Sequence, residues 1–175
     1  MIIMGLDLAT VSSGISVLDD GNLVFSGLVI TPDSMKNPFE RICFIQEKIT
    51  ELQDKYNPSV VAIEDVPLSA SRNLMTAKHL ILLAGAIMAL DNQRGATTLF
   101  LNPSEWRLSA GIFEGKLTKT DMAREAQKAR AVKLANEKFG LKLEYISEYS
   151  DKKFHGSDLA ESILIAVSAG IILKQ

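Results

Sequence analysis

Residues 1–30 commit the chain to an antiparallel meander. Two apolar runs, Gly14-Ile15-Ser16-Val17-Leu18 and Leu23 to Ile30, flank Asp19-Asp20-Gly21-Asn22. Asp-Gly between apolar runs is the strongest short-range signal for a tight hairpin, because both central residues of such a turn need positive φ. A third run, Met1-Ile2-Ile3-Met4-Gly5-Leu6, precedes them, and Thr31-Pro32-Asp33 ends the last strand. The period then changes. Phe39, Ile42, Ile45, Ile49 and Leu52 recur at three- and four-residue spacing, which predicts a helix over Pro38–Tyr56 with one buried stripe, stopped by Asn57-Pro58. Ser59–Val66 is an apolar run broken near its end by Glu64-Asp65, the pattern of a strand covered on both faces. Asn73–Asn92 predicts a long apolar helix, and Thr97–Leu101 a further strand ended by Asn102-Pro103.

Strands separated by helices need crossover connections, which pair them in parallel. The expected fold is therefore α/β, a mixed five-stranded sheet (an antiparallel meander followed by parallel strands) with helices on both faces. Ser104-Glu105-Trp106-Arg107 opens a short helix, and Gly111–Thr118 reads as a loop. Thr120 is placed to cap a helix running to Phe139 and ended by Gly140, and Leu141–Ser150 reads as irregular or as a strand. Ser157 is placed to cap a last helix running to about Leu173. No repeat, low-complexity tract or linker divides the 175 residues, so one domain, 1–175, is expected.

Composition sets limits on function. Apolar residues make up 47% and charged residues 23%, an ordinary globular balance. No stretch reaches the length of a membrane span without a charge or a strong polar break, and no secretory signal is expected at the N-terminus. Cys43 is the only cysteine, which excludes an internal disulfide and a cysteine-based zinc site and fits a reducing cytosol. The net charge of −2 argues against a general nucleic-acid coat, yet Ser104–Phe139 carries a local excess of Lys and Arg. A solvated mixed-charge helix is the plain reading of that excess, and a phosphate-binding patch the functional one.

The chemistry-bearing residues are carboxylates at strand ends. Asp7 closes the first apolar run, and Glu64 interrupts one that is otherwise fully apolar. A turn-starting Asp is the plain alternative for Asp7. A carboxylate beside a core needs a partner, since unpaired burial costs several kcal/mol, and that partner is a metal or an Arg. Asp65 has the opposite parity along its strand, so Glu64 is the one expected to face Asp7, with Asp65 supporting. Asp158 and Glu161 lie three apart at the start of the last helix, hence on one face, and His155 extends that face by three residues. The helix dipole alone also favours an acid at 158. Converging carboxylates suit two magnesium ions about 3.5–4 Å apart, which would activate water and stabilise a leaving oxygen in phosphodiester hydrolysis. His155 would orient water or ligate manganese, or be structural.

Cations would meet a nucleic-acid backbone. Lys116 and Lys119 lie on the expected loop, with Arg107 just before it, and Ser71 and Arg72 open the long helix as a phosphate seat. Trp106 is expected in the core or at a hinge rather than as a base-stacking platform.

Read in order, these segments resemble the RuvC-type Holliday-junction resolvases of the RNase H-like superfamily. Ile3 to Gly14 is similar to their first strand and hairpin, and Val61-Ala62-Ile63-Glu64-Asp65-Val66-Pro67 to their second acidic strand. Ser71–Ile87 is similar to the helix that pairs their subunits. His155-Gly156-Ser157-Asp158-Leu159-Ala160-Glu161-Ser162 is similar to their C-terminal acidic motif. Asn102 to Arg107 most resembles phage-borne members, which would place the protein in a bacterial host cytoplasm. The resemblance implies a homodimeric endodeoxyribonuclease, dependent on Mg²⁺ or Mn²⁺, that cuts four-way junctions by paired nicks; whether other branched DNA such as forks and flaps is also cut stays open. Its acidic set would be Asp7, Glu64, Asp158 and either Glu161 or His155, with Lys119 near the scissile phosphate. Other readings are a non-cleaving module that recognises branched DNA by shape, an RNA-processing nuclease of the same superfamily, and an ATPase related in fold, which would need a second such domain.

Overall fold

The computed structural model describes residues 1–66, 74–113, 124–146 and 156–174. β1 (Ile2–Asp7), β2 (Ser12–Asp19) and β3 (Asn22–Ile30) form the meander. Then come α1 (Pro38–Tyr56), β4 (Val60–Glu64), α2 (Leu74–Arg94), β5 (Thr97–Leu101), α3 (Pro103–Ser109), α4 (Arg124–Phe139) and α5 (Gly156–Ile172). The five strands lie in the order β3-β2-β1-β4-β5. β1–β2 and β2–β3 are antiparallel, and β1–β4 and β4–β5 are parallel. This is the mixed sheet the sequence predicts.

Local chemistry accounts for the elements. Asp20 (φ 47°) and Gly21 (φ 84°) form the two-residue hairpin loop, both with positive φ as that turn demands. Asn37 caps α1 by accepting from the Phe39 N–H at 2.9 Å, and the left-handed Asn57 ends it. Asn102 caps α3: its Oδ1 accepts from the Ser104 N–H at 3.0 Å, so the helix starts at Pro103, one residue before Ser104. α5 starts at Gly156, one residue before the expected cap, which leaves Ser157 buried inside its first turn. The predicted Thr120 cap lies outside the described residues. Leu141–Ile146 carries no regular structure.

Strand alternation sorts the core into two halves. Met4, Leu6, Ile15, Val17, Val61 and Ile63 pack with Ile42, Ile45 and Ile49 of α1 and Leu83, Ala84 and Ile87 of α2. Ile3, Leu18, Val60, Ala62 and Leu101 face the other way, onto α3, α4 and α5. Ile112 and Phe113, at the start of the segment expected to be a loop, are buried in that second half. α5 is its centre, buried almost continuously from Ser157 to Ala169. Two glycines let it lie directly on the sheet. A Cβ on Gly5 would stand 2.2 Å from the Ser162 carbonyl oxygen, and one on Gly14 would stand 2.1 Å from that of Asp158. Ser16 adds a hydrogen bond from its hydroxyl to the Ser162 carbonyl at 2.9 Å.

α2 is long and apolar enough, by length and composition alone, to cross a membrane. In this fold its buried positions, among them Ala77, Leu83, Ala84 and Ile87, are spent on packing within the domain. Leu74, Met75, Ile81, Leu82 and Met88 are left exposed.

Candidate active site

The register of the sheet brings the first two acids side by side. Leu6 pairs with Ile63 on the neighbouring parallel strand, so Asp7 and Glu64 are the next residues along. Both have the parity of Ile3, Gly5, Val60 and Ala62, the side covered by α5. Asp65 has the other parity and is exposed, its N–H bonded to the Leu101 carbonyl at 2.8 Å. The choice of Glu64 over Asp65 follows from this alternation.

The first two turns of α5 carry the other two acids over the same strand ends. Oxygen atoms of Asp7, Asp158 and Glu161 all lie within 4.8 Å of one another. Glu64 joins them through a cation: Arg107 Nη2 stands 3.3 Å from Glu64 Oε1 and 3.5 Å from Glu161 Oε1. The acids open into a cleft of about 790 Å³ whose walls include the Leu8–Ser12 turn, Thr76 and Leu80 of α2, and Arg124 and Gln127 of α4.

Crowding of like charges shapes the site's electrostatics. The Asp7 carboxyl is pushed well above the ordinary carboxylate range, first by burial and then by the negative charges of Glu161, Glu64 and Asp158, against the opposing pull of Lys128. Glu161 is raised too, again first by burial, with Lys128 and Arg107 pulling it down and Glu64 and Asp158 pushing it up. Carboxylates held where their ionised forms repel one another are a donor set that a divalent cation satisfies, and hard oxygen donors suit magnesium-like ions. The residues therefore fit a divalent metal.

Of the residues picked out from sequence, Asp7, Glu64, Asp158, Glu161 and Arg107 come together here. Arg107, expected to contact a nucleic-acid backbone, is turned toward the acids. Its guanidinium lies over the Trp106 ring, 4.6 Å from the centroid, and points among the acids. Trp106 is fully buried, in the core as expected. His155, Lys116, Lys119, Ser71 and Arg72 lie outside the described residues. The residue that sequence reasoning missed is Lys128. Its Nζ is 3.2 Å from Asp158 Oδ1 and 3.9 Å from Glu161 Oε2. The available signal was positional, since 128 falls on the same helical stripe as the buried Ala131, Val132 and Ala135.

No family model matches the chain. Two curated relatives do. The crossover junction endodeoxyribonuclease RuvC of Dictyoglomus turgidum is 26% identical over 126 residues, covering 70% of this chain and 77% of the relative. That of Dictyoglomus thermophilum is 29% identical over 122 residues, covering 68% and 75%. Among solved structures, T. thermophilus RuvC in complex with Holliday junction substrate superposes with a TM-score of 0.71 at 16% identity, over 99% of this chain and 96% of that one. Sheet order and structural likeness coincide: the chain has the RNase H-like fold seen in RuvC, and its sequence is similar to those of RuvC endonucleases.

Proposed function

We propose that the protein is a metal-dependent endodeoxyribonuclease that resolves Holliday junctions, acting as a homodimer that places one nick in each of two strands. The observation that carries this reading is the convergence of Asp7, Asp158 and Glu161, with Glu64 beside them, at the strand ends of a RuvC-like sheet. The relatives it resembles are junction endonucleases by name, and the T. thermophilus neighbour is seen with a Holliday junction. The whole chain, 1–175, serves as a single nuclease domain in this reading.

Asp7, Glu64, Asp158 and Glu161 would hold the metal, Mg²⁺ or alternatively Mn²⁺, with His155 as a further candidate ligand beside Asp158. Divalent ions held there supply an activated water and stabilise the leaving oxygen at a phosphodiester. The chain's own residues do the rest. The rigid strand ends fix Asp7 and Glu64, and α5 fixes the other pair. Arg107 has a buried Nε with no hydrogen-bond partner among the described residues, a donor that a phosphate oxygen would satisfy. Ser71, Arg72, Lys116 and Lys119 are assigned to backbone contacts, with Lys119 nearest the scissile phosphate. They lie between β4 and α2 and between α3 and α4, the connections that leave the site elements. The exposed apolar residues of α2 form the surface for the second copy. The location that fits is the cytoplasm, that of a bacterial host if the gene is phage-borne.

A labelled mobile four-way junction, a fork, a flap and a plain duplex, each incubated with Mg²⁺ or Mn²⁺, test the reading. Metal-dependent paired nicks in the junction support it. Equal cutting of every branched substrate broadens it to a branched-DNA nuclease, and binding without cutting under either metal leaves only a shape-recognising module.

A further inference from the structure

We propose that Lys128 is a positioning residue of the acidic site: an internal cation that holds Asp158 and Glu161 together in the metal-free protein and competes with the divalent ion for them. The proposal rests on the nuclease reading only in requiring that the site take a divalent ion.

Lys128 enters from α4, lines the cleft, and is only 7% exposed. An ammonium so deep persists as a charge only where carboxylates replace its hydration, and Asp158 and Glu161 do so at 3.2 and 3.9 Å. Arg107 is the counterpart on the other flank, 3.5 Å from the second oxygen of Glu161 and 3.3 Å from Glu64. Glu161 is thus bracketed, Oε1 toward Arg107 and Oε2 toward Lys128, and each cation bridges two acids. Asp7 makes no ion pair with any described residue, although its oxygens lie within 4.8 Å of those of Asp158 and Glu161. A divalent ion entering beside Asp7 meets Asp158 and Glu161 with the Lys128 charge already on them. Two cations sharing a carboxylate repel each other at short range. Lys128 therefore stabilises the empty site and weakens the filled one. This separates it from a residue that simply braces the fold, whose loss would weaken metal binding.

The test uses the full-length protein and Mn²⁺ alone, without DNA. Mn²⁺ affinity is titrated calorimetrically, and melting is followed with and without Mn²⁺, for wild type, Lys128→Met and Lys128→Arg. The proposal expects Lys128→Met to bind Mn²⁺ about tenfold more tightly, a gain of about 1.4 kcal/mol. It also expects a lower metal-free Tm and a larger Mn²⁺-induced rise in Tm, whereas Lys128→Arg keeps the wild-type affinity. Unchanged or weaker Mn²⁺ binding by Lys128→Met overturns it. If Lys128→Met is unfolded without metal, recovery of the fold in Mn²⁺ supports the proposal, and a chain that stays unfolded overturns it. Wild type that binds no Mn²⁺ would overturn the proposal and the nuclease reading together, while wild-type binding with an indifferent Lys128→Met would remove the proposal alone.

Discussion

Asp7 is the residue on which burial and like-charge repulsion press hardest, and its carboxyl is raised well above the ordinary range by both. Glu161 is raised in the same direction. The folded, metal-free protein then binds more protons than the unfolded chain between the ordinary carboxylate pKa, about 4, and the raised folded values. Stability from these groups is complete below that window and is lost as pH rises through it. Melting of the metal-free protein should show this fall, and Mg²⁺ should reverse it by favouring the ionised carboxylates. Asp7→Asn should accordingly melt higher than wild type without metal, by about 2–4 °C for each kcal/mol of repulsion relieved. A metal-free Asp7→Asn that melts at or below wild type would contradict this reading of the site. The acids themselves were legible in the sequence, because a carboxylate closing an apolar strand is anomalous and spacing by three places two on one helical face. The aim of Arg107 and the role of Lys128 were not. Each depends on which helix packs over which strand, and a lysine on an amphipathic helix ordinarily stays in water.

At the level of elements, α5 sets the site and the glycines set α5. Gly14→Ala would drive a Cβ into the Asp158 carbonyl, so the first turn of α5 must lift. A cost of about 1–3 kcal/mol is expected. Denaturant titration should measure it, and weaker Mn²⁺ binding should accompany it, since Asp158 moves with that turn. A second prediction concerns Asp91, which ties α2 to α1 and β5 by accepting from Gln53 Nε2 and Thr98 Oγ1, both at 2.6 Å. Burial raises its carboxyl, against the lowering effect of these hydrogen bonds. Asp91→Ala should cost about 1–3 kcal/mol by leaving the buried Gln53 amide and the half-buried Thr98 hydroxyl without this acceptor. A urea midpoint equal to wild type would show the network to be idle. The strands, α1 and the hairpin were readable because each obeys a short-range rule: Asp-Gly at the turn, a 3.6-residue stripe, Asn-Pro at the stop. α3 and α5 start one and two residues earlier than read, and the burial of Ile112 and Phe113 went unread, since a Gly-rich boundary says nothing of what the core beyond it needs filled.

For the molecule as a whole, the two faces of the sheet have different tasks. α1 closes one face, and α2 covers part of it while leaving Leu74, Met75, Ile81, Leu82 and Met88 outward, the surface proposed for a second copy. In the proposed reaction, paired nicks require that copy. The double substitution Ile81→Glu/Leu82→Glu should give a folded monomer by light scattering that nicks one strand at a time, and an unchanged oligomeric state would remove α2 from the interface. The other face carries the acidic cluster, and there the most direct test is cleavage of a four-way junction labelled on opposing strands, with saturating Mg²⁺, by wild type and Asp7→Asn side by side. The account predicts paired, metal-dependent nicks by wild type. Asp7→Asn should still bind the junction but cut it at least about a hundredfold more slowly, the order of loss expected when one charge-stabilising group is removed. Cutting by Asp7→Asn at the wild-type rate, or no metal-dependent cutting by wild type, would contradict it.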